Sequence, residues 1–192
     1  VTCVKCETVS TAYDPFLDIS ISLNTQAKGK EVDQAETLTN CLNRFTKPER
    51  LESAEKIFCS NCSSYQDSIK QLSLKQLPVV ICLHLKRFEQ PSTKIDTFVE
   101  FPELLDMSPF LATNITRKRT FSEIDSETAA SDSSDKKIEE YELFAVVNHH
   151  GRMDNGHYTC FVKHAHMWFK CDDSWISKVS LQQVLKTKGY LL

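Results

Sequence analysis

Apolar and polar residues alternate from Leu17 through Ile19 and Ile21 to Leu23, the two-residue period of a strand with one buried face. Farther on the period lengthens. Leu38, Cys41, Leu42 and Phe45 fall on one side of a short amphipathic helix that must end before Pro48, and the polar residues 24–35 connect it to the strand. Residues 69–74 alternate again. The stretch 79–88 is apolar, β-branched and bounded by Pro78 and Pro91, which predicts a buried strand, and 98–101 predicts another short one. Three more strand-like segments, 141–148, 156–162 and 167–171, are separated by turn signals and predict a small antiparallel sheet. Ser180 and Gln183 have the spacing of a capping box for a helix from Leu181 to about Lys186, with Gly189 just past its end. Strands that follow one another, with few helices between them, predict an α+β class.

Residues 113–140 break this pattern. They lack apolar periodicity and are rich in Ser, Thr, Asp, Glu and Lys, so a disordered insertion is expected there. Arg117, Lys118 and Arg119 inside it are a candidate nuclear-import or docking element, although three basic residues in a polar loop more often serve solubility; its serines and threonines are candidate phosphorylation sites. With 192 residues, 41% hydrophobic and 26% charged, the chain can bury one or two small cores. No apolar run reaches the length of a membrane helix, and the first residues form neither a basic nor an apolar targeting segment, so a piece of a longer, non-membrane protein is expected. A net charge of −3 with mixed signs provides no field for direct nucleic-acid binding.

The cysteines change the picture most. Four of the eight form two C-x-x-C pairs, Cys3 with Cys6 and Cys59 with Cys62, while Cys41, Cys82, Cys160 and Cys171 sit singly in apolar or strand-like stretches that suit a small buried hydrophobe. Two such turns can deliver four thiolates to one ion. Four sulfurs favour zinc, and a closed shell without a water position makes the ion structural. The long interval between the pairs requires a strand, a connector and a helix to fold between them and bring both to one end of a β-ribbon. Two disulfides or two separate redox pairs are the alternatives.

A second constellation lies near the end. If 163–167 forms a turn, antiparallel pairing sets residues whose numbers sum to about 330 opposite one another, which puts His157 beside Asp172 or Asp173. An acid next to an imidazole fixes its tautomer and stabilises imidazolium, as a general base for a thiol or hydroxyl requires. His149, His150, His164 and His166 compete for the role. His157 differs in its neighbour Gly156, which admits a close backbone, and in the matching acids. Spacing does not choose between the aspartates, and a His–Asp pair on a hairpin is also a common incidental surface feature.

These motifs occur in a fixed order: the two cysteine knuckles, Leu77-Pro78 before His84-Leu85-Lys86-Arg87-Phe88, Gly156-His157-Tyr158, Asp172-Asp173 and Gly189-Tyr190-Leu191-Leu192. In this order they resemble the ubiquitin-specific protease family, papain-like deubiquitinases whose catalytic domain is described as fingers, palm and thumb. The resemblance implies that 1–192 is the fingers and palm portion of one such domain, with fingers at about 1–75 and palm at about 76–112 and 141–192. It implies that His157 is the general base, Asp172 its orienting partner and Asp173 a supporting acid behind it. Cys3, Cys6, Cys59 and Cys62 become zinc ligands in fingers that grip ubiquitin, and Gly156 and Tyr158 line the cleft for the ubiquitin tail.

The family nucleophile belongs to an upstream cysteine box that does not occur here, and Cys160 and Cys171 do not replace it: neither lies at a helix N-terminus that would lower its pKa. The chain is therefore expected to be inert alone, within a parent that hydrolyses an isopeptide bond through a thioester. Tyr13-Asp14-Pro15-Phe16-Leu17-Asp18-Ile19, Cys41-Leu42-Asn43-Arg44-Phe45-Thr46 and Phe144-Ala145-Val146-Val147-Asn148-His149 are similar to the branch represented by the deubiquitinase of the SAGA transcriptional coactivator complex. That likeness implies a ubiquitinated histone as substrate, activating adaptor subunits, and a nuclear setting, with the cytoplasm also open. A ubiquitin-binding module without chemistry is the competing reading. A zinc-ribbon nucleic-acid module is disfavoured by the lack of a basic, aromatic-bearing stripe around Cys59 and Cys62.

Overall fold

A computed structural model describes residues 1–24, 36–89, 93–115 and 138–192. Most of the polar connector, and the expected insertion from 116 to 137 with its Arg117-Lys118-Arg119 cluster, lie outside the described residues. The two ends expected for that insertion belong to regular elements: 112–115 make a helical turn, and Glu140–Glu142 is a strand paired antiparallel with Leu104–Asp106.

The alternation around Ile19 becomes strand β1 (Ile19–Ser22), with Ile19 and Ile21 buried and Leu17 left 98% exposed before it. It lies parallel to β2 (Leu83–Lys86) at one side of a seven-stranded sheet. The others are β3 (Ala145–Gly151), β4 (Gly156–His164), β5 (Met167–Asp172), β6 (Trp175–Val179) and β7 (Gly189–Leu191). The spatial order is β6-β5-β4-β3-β7-β2-β1, antiparallel at every step except β2 to β1. The expected three-segment sheet is thus the centre of a larger one, in keeping with the α+β class.

Two expectations need correction. The buried strand expected over 79–88 is regular only at Leu83–Lys86 and Phe88–Glu89, and Val79 is 98% exposed. Among the described residues no strand runs alongside 79–81, and the ladder begins only where Ile19 N–H donates to the Cys82 carbonyl, so the β-branched residues have none to join. The strand expected over 141–148 divides in two. Leu143 donates its N–H to the Glu103 carbonyl and Phe144 accepts from Lys163 N–H, so the chain changes partners before β3 begins.

Helix α1 (Leu38–Phe45) starts where Thr37 accepts a hydrogen bond from the Asn40 N–H at 3.1 Å, and it buries Leu38, Cys41 and Leu42. Helix α2 (Leu181–Leu185) carries the expected capping box, with both reciprocal Ser180–Gln183 bonds formed, and it buries Val184. Val184 joins Val146, Phe161 and Trp168 in a core cluster that also holds Ile21, Leu42, Leu85, Val99 and Phe110. Each such side chain contributes about 1.5–3 kcal/mol on leaving water. Arg87, only 2% exposed, is set into this core. Its Nε donates to the Gly189 carbonyl at 2.7 Å, and its Nη1 donates to Ile95 and Thr97 carbonyls at 3.0 and 2.8 Å, tying β2 to β7.

Successive residues in the sheet face opposite ways. Val146, Asn148, Thr159, Phe161 and Trp168 are buried. Ala145, Val147, Cys160, Val162, Phe169 and Cys171 alternate with them and are only half-buried. A groove of about 600 Å³, lined by Leu77, Val79, Leu105, Leu143, Val147 and Leu191, opens beside them.

Candidate active site and metal centre

β3 and β4 form a hairpin that pairs His150 with His157 and Gly151 with Gly156. Gly151 turns the chain at φ 101°. At Gly156 the reason for glycine differs from the expected substrate approach: a Cβ there would lie 2.0 Å from His149 Nε2 and 2.8 Å from the His150 carbonyl oxygen. The imidazole of His149 fills that space itself. Tyr158 stacks on His149 at 4.7 Å between centroids, Phe88 meets His149 at 5.3 Å, and Tyr190 lies 5.9 Å from Tyr158 and 5.0 Å from His84. This aromatic group joins the ends of β2, β3, β4 and β7. Burial, then Lys94 and His150, lowers the pKa of His149 and keeps it neutral. Lys94 Nζ caps the His149 carbonyl at 2.7 Å.

β4 and β5 join through Ala165 and His166, both at positive φ, in a two-residue turn shorter than expected. Cys160 therefore pairs with Cys171 and His164 with Met167, within the expected register of about 330. Asp172 reaches His157 on the diagonal, and His157 Nε2 lies 2.6 Å from Asp172 Oδ1. The structure thereby chooses between the aspartates. Asp173 occupies the turn after β5 at φ 51°, and its carboxylate stays within 4.8 Å of the other two groups.

The hydrogen bond that His157 donates to Asp172 raises the pKa of His157, with Asp173 reinforcing it. The same bond, aided by Lys170 Nζ at 3.1 Å from Oδ2, lowers Asp172. Both groups are substantially exposed, so solvent screens the pair. With Nε2 engaged, Nδ1 is the ring nitrogen left for a reacting proton. Of the competitors, His150 bonds the Thr159 hydroxyl, while His164 and His166 lie at the far end of the hairpin. Sequence reasoning assigned no role to Lys170. Its position two residues before Asp172 on one strand, hence on the same face, was the available signal.

The four knuckle cysteines come together as expected. Thr2–Cys3 pairs with Ser68–Lys70, which pairs with Glu49–Leu51, and the hairpin of Ile57–Cys59 with Ser64–Gln66 brings in the second knuckle. Cys6 Sγ is 3.5 Å from Cys59 Sγ, Cys3 Sγ is 3.9 Å from Cys62 Sγ, and all four sulfurs lie within 4.8 Å of one another. Zinc–sulfur bonds of about 2.3 Å in a tetrahedron put sulfurs about 3.8 Å apart, whereas a disulfide is about 2.05 Å long. The donor set therefore fits zinc. Hydrogen bonding with Asn61 and Thr8 brings the Cys6 thiol down to about 5, and Cys62, which shares a hydrogen bond with Cys6, is pushed up to about 12.

Known proteins resemble this arrangement over its whole length. The family model described as ubiquitin carboxyl-terminal hydrolase matches residues 1–192. Ubiquitin carboxyl-terminal hydrolase 22 of Homo sapiens is 45% identical over 212 residues, an alignment that takes in all of this chain and 39% of that protein. Ubiquitin carboxyl-terminal hydrolase 27 of Mus musculus is 44% identical over 211 residues, with all of this chain and 47% of that protein covered. Among solved structures, a SAGA DUB module of Ubp8, Sgf11, Sus1 and Sgf73 bound to monoubiquitin aligns with a TM-score of 0.75 at 34% identity. That alignment covers all of this chain and 38% of the matched one. The chain spans less than half the length of these relatives. The likeness bears out the expected α+β fold of the ubiquitin-specific protease type, and with the family match along all 192 residues the chain belongs to the ubiquitin carboxyl-terminal hydrolase family.

Proposed function

We propose that this chain is the histidine-bearing, zinc-binding part of a deubiquitinase that hydrolyses the isopeptide bond at the ubiquitin C-terminus. The observation that carries the reading is the His157–Asp172 bond at 2.6 Å, which orients the ring and leaves Nδ1 open. The single cysteines make poor candidates for the catalytic nucleophile: burial pushes Cys41 up to about 12 and raises Cys82 and Cys160 above the ordinary thiol value, and Cys171 lies in strand β5 and not at a helix N-terminus. Cys6, whose thiol is lowered, belongs to the metal cluster. The nucleophile therefore comes from elsewhere in the full-length protein, and this chain alone is inactive.

In the reaction His157 Nδ1 takes the proton of that thiol, and Asp172 stabilises the imidazolium. The thiolate attacks the carbonyl carbon of the isopeptide, the C–N bond breaks, and the imidazolium returns its proton to the departing lysine amine. Water, deprotonated by His157, then cleaves the thioester and regenerates the thiol. Gly156 and the half-exposed Tyr158 would border the ubiquitin tail. Cys3, Cys6, Cys59 and Cys62 would hold zinc, which supplies no chemistry to the reaction and cross-links the fingers at about 1–75 to one another. The palm would comprise about 76–112 and 141–192, interrupted by the insertion.

The SAGA DUB modules among the structural relatives support a finer reading, in which the substrate is a ubiquitinated histone, adaptor subunits activate the enzyme, and the setting is nuclear. The test is cleavage of a ubiquitin C-terminal fluorogenic amide by the full-length protein, with and without adaptors, followed by ubiquitinated nucleosomes. His157→Ala should abolish turnover. Activity surviving that change would sink the mechanism, and ubiquitin binding without any cleavage would mark a non-catalytic ubiquitin-binding module instead.

A further inference from the structure

Cys160 and Cys171 stand directly opposite each other on β4 and β5, with Val147 and Ile176 as their outer neighbours in the same cross-strand row. Opposed residues of an antiparallel ladder present their side chains to the same face, with Cα atoms about 4.5 or 5.5 Å apart. Either spacing falls within the range of about 4.4–6.8 Å that a disulfide spans. Both thiols are free and half-buried. Neither belongs to the zinc cluster or to the proposed reaction. Cys171 directly precedes Asp172, and Cys160 follows His157 by three positions on the same strand.

We propose that Cys160 and Cys171 are a site of reversible oxidation, closing to a cross-strand disulfide under hydrogen peroxide and loosening the His157–Asp172 bond. One thiolate attacks a peroxide oxygen; an S–O bond forms, the O–O bond breaks, and hydroxide leaves and is protonated to water. The second thiolate attacks the sulfenic sulfur; an S–S bond forms and a second hydroxide leaves. Two thiols are oxidised and one peroxide is reduced to two waters. Burial, with Cys171 beside it, raises the Cys160 thiol, so closure should accelerate as pH rises from 7 towards 9.

The mechanical consequence follows from position. A disulfide between directly paired strands pulls them together and changes their local twist. The next residue along β5 is Asp172, whose hold on His157 depends on one diagonal contact. A displacement near 1 Å in a catalytic constellation can cost about 100-fold in rate, so a fall of about ten-fold or more in kcat/KM is expected, reversed by a thiol reductant. This effect on rate rests on the proposed deubiquitinase reading; the bond itself does not.

The experiment treats full-length protein with graded hydrogen peroxide, blocks residual thiols and digests with trypsin without reduction. The expected product joins the peptide of residues 153–163 to that of 171–178, at a mass two hydrogens below their sum, and it disappears on reduction. Activity is compared between wild type and Cys160→Ser at equal oxidation of the nucleophile, measured in the same digest, with Cys171→Ser as a second variant should the first not fold. Retained activity in the variants and reversible loss in wild type support the switch. Absence of the linked peptide when the nucleophile is already oxidised overturns the site. Equal losses in wild type and variants overturn the effect on His157. A reduced protein with no ubiquitin hydrolysis would instead refute the functional reading, since the linked peptide is read by mass alone.

Discussion

Replacing Arg87 with Met keeps most of the buried aliphatic stem and removes the guanidinium. Three carbonyl oxygens, on Gly189, Ile95 and Thr97, then lose donors at 2.7–3.0 Å, the first two in a buried place and the third on exposed Thr97 within reach of water. Each unpaired acceptor costs about 1–3 kcal/mol. Against this stands the desolvation of the guanidinium, no longer incurred, at several kcal/mol. Burial already depresses the Arg87 pKa, a sign that this opposing cost is real, although the group stays charged. Because Nη2 is itself buried without a partner among the described residues, part of the relieved desolvation is uncompensated in the native protein; the net loss should be about 1–3 kcal/mol, and for a chain of this size that lowers Tm by about 2–10 °C. Arg87→Ala adds a cavity of the stem's volume and should cost a further 1–3 kcal/mol or so. Urea denaturation of zinc-saturated protein, monitored by tryptophan fluorescence, reads both variants. A loss below about 1 kcal/mol for Arg87→Met would show that the three carbonyl bonds only balance desolvation.

Asp172→Asn should lower kcat by about 10²–10⁴-fold. Because Asp172 raises the His157 pKa, the acidic limb of the kcat/KM profile lies above the ordinary imidazole value in wild type and should move to lower pH in the variant; an unmoved limb refutes the pairing. Gly156→Ala forces a Cβ into the space of His149 Nε2 and the His150 carbonyl, and should cost about 1–3 kcal/mol. Adding His149→Ala should recover part of that loss in a double-mutant cycle, and strict additivity would remove His149 as the cause. Metal analysis should give one zinc per chain, and Cys59→Ser should lower both zinc content and thermal stability; folding left intact with no metal bound would refute the site.

Much of the site was legible because its signals are local. A C-x-x-C turn delivers two sulfurs, a Ser–x–x–Gln box starts a helix, and a hairpin sets a histidine against an acid whatever surrounds them. The register was legible only to about one residue because Ala165 and His166 make a tight turn at positive φ without the Gly or Asn that usually marks one. Residues 79–82 misled because apolar character reports that something should cover a segment and not what, and Val79 faces open space. Strand β6 went unread because Trp175 and Ile176 are exposed and successive, so no two-residue alternation marks it. Gly156 was noticed, but one reason for its glycine was out of reach of the sequence: the His149 ring is seven positions away and in contact only after the hairpin closes.

The position of β7 sets an order on how the protein can be made. This three-residue strand lies inside the sheet, between β3 and β2, although 102 residues separate Arg87 from the Gly189 carbonyl it binds. Until β7 emerges from the ribosome, β1 and β2 can pair with each other, but β2 keeps a bare edge and the β3–β6 meander has no strand on the free edge of β3. Two half-sheets with unsatisfied edges are aggregation-prone while they wait. Nascent chains should therefore depend on chaperones until β7 is made, and loss of residues 189–191 should split the seven-stranded sheet into two sheets held together by side-chain packing and by the pairing of 104–106 with 140–142.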